Sequence, residues 1–250
     1  MDTLEITLPK SWGELTQRQL RRVYVLMVRY GSVVEPWREV AVDFIRRFAG
    51  FTVVSPYGRN WLIRANGREY VMDAGEYAWL VDRLSWLRDI PEVPVRLDVI
   101  DKASALPPDP TADLTFGQWL VLENLYQGYQ YTQDSALLRS MAAVLYGKED
   151  IALSPAEEIS IFYWWSAVKA MVSAMFPSFF RPAPVKADDV PDADTVRRSV
   201  DAQIRALTKG DISKEDRIME MPAIRALTEL DAQAREFEEL NRKYPQKSMS

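Results

Sequence analysis

A chain of 250 residues with 48% hydrophobic and 27% charged residues can bury a sizeable core and lies outside the composition of disordered chains. It contains no cysteine and no histidine, which removes disulfides, Cys-His and Ser-His-Asp nucleophilic systems, and Cys- or His-ligated zinc together. The formal net charge is −5, with Lys and Arg spread along the chain rather than massed, so no phosphate-neutralising tract points to nucleic acid.

The opening Leu4-Glu5-Ile6-Thr7-Leu8 alternates apolar and polar residues up to Pro9, which predicts a half-buried strand. Met1-Asp2-Thr3-Leu4-Glu5 lacks the basic stretch and apolar run of a secretory signal, so a cytoplasmic location is expected. Thr16 and Gln19 form a capping-box pattern ahead of Leu20, Val23, Tyr24, Met27 and Val28 at helical spacing, and this helix should end near Gly31. A second helix is predicted from Pro36, with Trp37, Val40, Ala41, Phe44, Ile45 and Phe48 on one face up to Gly50.

Asn66-Gly67 between Trp61–Ala65 and Arg68–Met72 predicts a β-hairpin over 61–72, because both turn residues tolerate positive φ. Phe51–Val54 could add a strand, and Glu76–Leu87 reads as a helix with Tyr77, Leu80, Leu84 and Leu87 inward. Residues 1–100 are therefore expected to be α+β. Ile100–Asp113, with Pro107, Pro108 and Pro110, reads as a loop or linker.

Residues 114–176 read as a helical core. Thr115 and Gln118 repeat the capping-box pattern, Ser135–Tyr146 is a second helix, and Ser154-Pro155-Ala156-Glu157 opens a third. The apolar run Ile159–Phe176 is nearly long enough to span a bilayer. Lys169, the internal Trp164 and Trp165, and serines at 160, 166 and 173 favour a buried helix instead.

Pro177–Asp194 carries four prolines and Asp188, Asp189, Asp192 and Asp194, which reads as a solvated connector. Beyond it, 195–250 reads as a helical C-terminal arm: a helix over Thr195–Lys209, a break at Gly210, and a short turn that Ser213 can cap. A final helix from Pro222 has an apolar stripe at Ile224, Leu227, Leu230, Ala234, Phe237 and Leu240. That stripe is narrow, as in a helix-pairing seam; it either folds back on its own domain or meets another chain. The expected fold class is mostly α (α+β), with a small N-terminal α+β part, a bundle-like middle and a helical arm.

No Walker-type loop and no GxGxxG motif is present, so nucleotide chemistry lacks its familiar cradle. Glu157-Glu158 and the aspartates of 188–194 could bind a hard cation or act in acid-base catalysis. Acids at a helix start also suit the helix dipole, and acids in a connector keep it solvated. The expectation is no catalytic residue, no metal and no cofactor. Trp119, Tyr126, Tyr129, Tyr131, Tyr146, Phe162, Tyr163, Trp164 and Trp165 either line a ligand pocket, stack on bases or fill the core, and core packing is the expectation. Phe179 and Phe180 fall between Pro177 and Pro182, where no helix of their own would bury them. With Ile224, Leu227, Leu230, Phe237 and Leu240 they are the candidate partner-binding residues; Phe179 and Phe180 either form an exposed docking point or pin the connector to the core.

Leu8-Pro9-Lys10-Ser11-Trp12-Gly13-Glu14-Leu15, Glu123-Asn124-Leu125-Tyr126-Gln127-Gly128-Tyr129, Leu207-Thr208-Lys209-Gly210-Asp211-Ile212 and Leu227-Thr228-Glu229-Leu230 together resemble small prophage proteins of gut bacteria. Within tailed-phage modules such an acidic helical chain resembles a tail assembly chaperone. The resemblance implies a cytoplasmic, non-enzymatic protein of the bacterial host cell that shields a helical tail protein until the tube polymerises, with self-association possible. The alternatives are a structural virion or tail subunit and a carboxylate enzyme using a divalent metal.

Overall fold

The structure is a computed structural model that describes residues 4–181 and 193–243. It is mostly α, with a three-stranded and a two-stranded antiparallel sheet. The chain divides into two compact units, Met1–Ala105 with Ile151–Ala167, and Leu106–Asp150 with Val168–Ser250. Among the described residues no helix is long and apolar enough to cross a membrane.

In the first unit, Leu4–Leu8 forms no strand, contrary to its alternation. Leu8 is buried and Leu4 and Ile6 half-buried, so the pattern reports packing of one face without a ladder partner. Helix α1 (Gln17–Tyr30) starts with the expected box: the Gln19 N–H donates to Thr16 Oγ1 and the Thr16 N–H donates to Gln19 Oε1. It buries Leu20, Val23, Tyr24 and Leu26, while α2 (Pro36–Phe48) buries Trp37, Val40, Ala41, Phe44 and Ile45. Strands β1 (Thr52–Tyr57), β2 (Asn60–Ala65) and β3 (Arg68–Met72) make one sheet in the order β1-β2-β3.

Helix α3 is Ala74–Asp82, capped by Asp73, and a separate 3-10 turn covers Ser85–Arg88. The single helix expected over 76–87 is thus broken at Arg83 and Leu84, yet Leu80, Leu84 and Leu87 are all buried, since a tighter turn keeps their shared face. The stretch read as a linker from Ile100 contains a small hairpin, β4 (Val99–Ile100) and β5 (Ala103–Ser104). Its turn residues Asp101 and Lys102 adopt φ of 46° and 65°, an uncommon conformation for side-chain-bearing residues. The Ala152 N–H donates to Asp101 Oδ2 at 3.0 Å, a tie from 51 residues away that local patterning does not carry.

The second unit is built on α4 (Phe116–Thr132), with the Thr115–Gln118 capping box, and α5 (Ser135–Tyr146), capped by Asp134 and closed by Gly147 at φ 60°. Helix α6 (Pro155–Met175) gives its residues to Ala167 to the first unit and those from Val168 to the second. Helix α7 (Ala193–Thr208) is followed by a 3-10 turn at Ile212–Lys214, the short α8 (Glu215–Met219) and α9 (Ala223–Lys243). The turn after Gly210 is capped by Asp211, whose carboxylate accepts the Ser213 N–H and hydroxyl; Ser213 is the donor there rather than the cap. Most of the expected connector, residues 182–192, lies outside the described residues.

The starts of α4 and α9 are bonded to each other. The Phe116 N–H donates to Met221 O and the Ala223 N–H to Leu114 O, both at 2.8 Å, so each helix satisfies donors that the other's first turn would leave without a partner. Gly117 permits this approach: a Cβ there would lie 3.3 Å from the Met219 carbonyl oxygen.

Candidate functional site

At the start of helix α6 Ser154 is tied to Glu157: the Ser154 N–H and hydroxyl donate to Glu157 Oε2 at 2.9 and 2.7 Å. Arg21 of α1 donates to Glu157 Oε1 at 2.7 Å and, through its other terminal nitrogen, to the Val99 carbonyl at 2.8 Å. Burial raises the Glu157 carboxyl, but the Ser154 hydrogen bonds and the Arg21 guanidinium outweigh it and leave the pKa below its ordinary 4.5. Glu157, a residue of the Glu157-Glu158 pair, is therefore engaged in holding a helix start. Among the described residues no group of three or more acidic side chains is placed to hold a metal ion. The aspartates at 188, 189 and 192 lie outside the described residues.

The aromatic residues divide. Trp119, Trp164 and Trp165 are fully buried, Tyr126 and Tyr146 are buried, and Tyr131 is exposed. In the first unit Trp12, Tyr24, Trp86 and Tyr163 form a cluster, Trp12 standing 5.5 Å from the rings of both Trp86 and Tyr163.

In the second unit, a groove of about 630 Å³ is walled by α4, α7, α9 and the segment after α6. Trp119 and Leu120 of α4 and Leu230 and Ala234 of α9 contribute apolar surface, and Phe179, Phe180 and Phe237 contribute rings. Inside it, Lys169 of α6 donates to Glu123 Oε1 at 2.6 Å, Gln127 donates to the same oxygen at 2.7 Å, and the Lys169 ammonium sits 5.3 Å from the Phe180 ring centre. Lys169 and Glu123 are about one-fifth exposed, so the low local dielectric strengthens the pair while part of its desolvation cost is avoided.

Phe179 and Phe180 are half-buried, with rings 4.8 Å apart at 79°. The Ser178 and Phe179 N–H groups donate to Asp231 Oδ1 at 2.9 and 3.0 Å. Asp231 is buried in α9, so this carboxylate holds the chain after α6 against the last helix. Arg181 adds an ion pair to Glu238 at 2.5 Å.

The candidate stripe of α9 is split along its length. Leu227 and Leu230 are buried and Ile224 is half-buried, whereas Phe237 is 65% and Leu240 57% exposed. Of the seven candidate residues, the structure brings Phe179, Phe180, Leu230 and Phe237 to one groove; Ile224, Leu227 and Leu240 do not line it. Glu123, Gln127 and Lys169 were not singled out as site residues. The lone cation Lys169 within the apolar run 159–176, and Glu123 and Gln127 four residues apart on one helix face, are the signals that point to them. No family model, curated protein or solved structure matches the chain.

Proposed function

We propose that the chain is a non-enzymatic protein-binding protein whose second unit receives an apolar helical segment in the groove between α4, α7 and α9. The observation that carries this reading is the continuation of the α9 stripe: Leu230, Ala234 and Phe237, spaced four and then three residues apart, all line the groove, and the ring of Phe237 is left exposed. An amphipathic helix laid in such a groove is read through anchors at this spacing, and buried aromatic anchors supply most of the energy of such contacts. In its specific form, taken from the sequence resemblance, the protein is a phage or prophage tail assembly chaperone. It works in the bacterial host's cytoplasm and covers helical parts of a tail protein before the tube is assembled.

The test is affinity capture of the tagged chain from its native host during particle assembly, with a photo-crosslinking residue at position 237 and mass spectrometry of the products. The reading expects a long helical tail protein crosslinked at 237 and no copies of the chain in finished particles. Recovery from finished particles makes it a structural subunit instead, and capture of no protein returns attention to the carboxylates.

A further inference from the structure

The three-stranded sheet of the first unit has two unlike edges. At β1 the register slips between Val53 and Ser55, and Pro56 occupies a place in the strand; both devices discourage a sheet edge from accepting another strand. β3 has neither, since Arg68–Met72 contains no proline and pairs with β2 in continuous register. The two-residue turn at Asn66 and Gly67, with φ of 51° and 77°, makes Ala65 and Arg68 a hydrogen-bonded pair. Alternation along the ladder then turns the N–H and C=O groups of Glu69 and Val71 to the open side. Among the described residues, no backbone hydrogen bond other than those of the β2 ladder reaches Glu69–Met72.

A groove of about 710 Å³ follows that edge, lined by every residue of β3, by Leu4 and Ile6, and by Trp79 and Leu80 of α3. Its wall is largely apolar, and Trp79 and Val71 are 59% and 49% exposed. On the opposite sheet face Glu69 pairs with Arg64 of β2 at 2.6 Å, and both remain about half exposed.

We infer that the β3 edge is a docking site for an extended segment of another protein, which adds as a fourth strand. Only an extended backbone matches the spacing of the outward groups of Glu69 and Val71. Charge and burial set its side chains: apolar residues at every second position, beside Tyr70 and Met72, meet the wall formed by Leu4, Ile6 and Leu80. A Lys or Arg on the other face sits beside Glu69, extending the alternation of sign that runs from Arg64 to Glu69. This surface is separate from the helix groove, and its test does not depend on that reading.

The experiment is selection from a library of synthetic octapeptides against the full chain, followed by affinity measurements on variants. Val71→Pro removes one outward N–H and leaves the β2 ladder untouched. Circular dichroism should be unchanged, and affinity for the selected peptides should fall about tenfold or more. Glu69→Lys keeps the backbone and should exchange the preference for a basic residue for an acidic one. Selected peptides without alternation, equal binding by Val71→Pro, or failure to select any peptide would overturn the inference. Self-association of the wild type that Val71→Pro abolishes would also overturn it, because the occupant would then be a second copy of this chain.

Discussion

The buried carboxylate of Asp231 accepts the backbone N–H of Phe179 at 3.0 Å, across 52 residues of sequence. The same oxygen takes the Ser178 N–H, so one side chain of α9 sets the path of the chain as it leaves α6 and places the Phe179–Phe180 pair. Asp231→Ala should cost about 1–3 kcal/mol, because two part-buried donors lose their acceptor. Asp231→Asn, which keeps an acceptor oxygen, should cost less. Urea unfolding of both variants checks the order, and a larger loss in the Asn variant would contradict it.

The two halves of the α9 stripe should respond differently to truncation. Leu227 is fully buried, and Leu227→Ala should destabilise by about 2–5 kcal/mol. Phe237→Ala removes a mostly exposed ring and should stay within about 0.5 kcal/mol in the free protein, while weakening partner capture. Equal stability losses in thermal or urea unfolding would mean that the exposed half is also held by the unit.

Lys169 and Glu123 should show strong coupling. Lys169→Met alone leaves a part-buried carboxylate without its cation and should cost about 1–3 kcal/mol. The double variant Lys169→Met with Glu123→Leu should recover most of that loss. A double-mutant cycle read by urea unfolding measures the coupling, and additive losses would remove the pair from the account of the groove.

Acidification should weaken the first unit through Glu157. Its carboxyl is held below 4.5 in the folded chain by Ser154 and Arg21, against the raising effect of burial. A depressed folded-state pKa stabilises above the unfolded value, and that contribution is lost as pH falls through the folded one. Stability should therefore drop below about pH 4.5, and Glu157→Gln should flatten that part of the profile while lowering stability at neutral pH. Unfolding curves across pH 3–7 would expose a disagreement as an unchanged slope.

What could be read from sequence is what neighbouring residues decide. The boxes at Thr16–Gln19 and Thr115–Gln118 are contained in single helical turns, and the Asn66-Gly67 hairpin is announced by its own turn. The groove is different, because Lys169 meets Glu123 across 46 residues and Asp231 meets Phe179 across 52. Periodicity identified the α9 stripe as one seam but not its division, since Leu230 and Phe237, seven residues apart, occupy equivalent positions in the pattern, yet Leu230 is buried and Phe237 exposed. The β4–β5 hairpin escaped for a related reason: Asp101 and Lys102 lack the glycine that usually marks such a turn, and a distant amide at Ala152 supports it.

The first unit is assembled from two stretches of chain, Met1–Ala105 and Ile151–Ala167, with 45 residues of the other unit, Leu106–Asp150, between them. Synthesis therefore cannot finish one unit before starting the next. Until Tyr163 has been added, Trp12 and Tyr24 lack the ring that completes their cluster, and until Glu157 has been added the α1 residue Arg21 lacks its carboxylate. For this chain, vectorial folding from the N-terminus gives way to a late closure, in which one continuous helix, α6, delivers the missing wall of the first core and, a few residues later, part of the second.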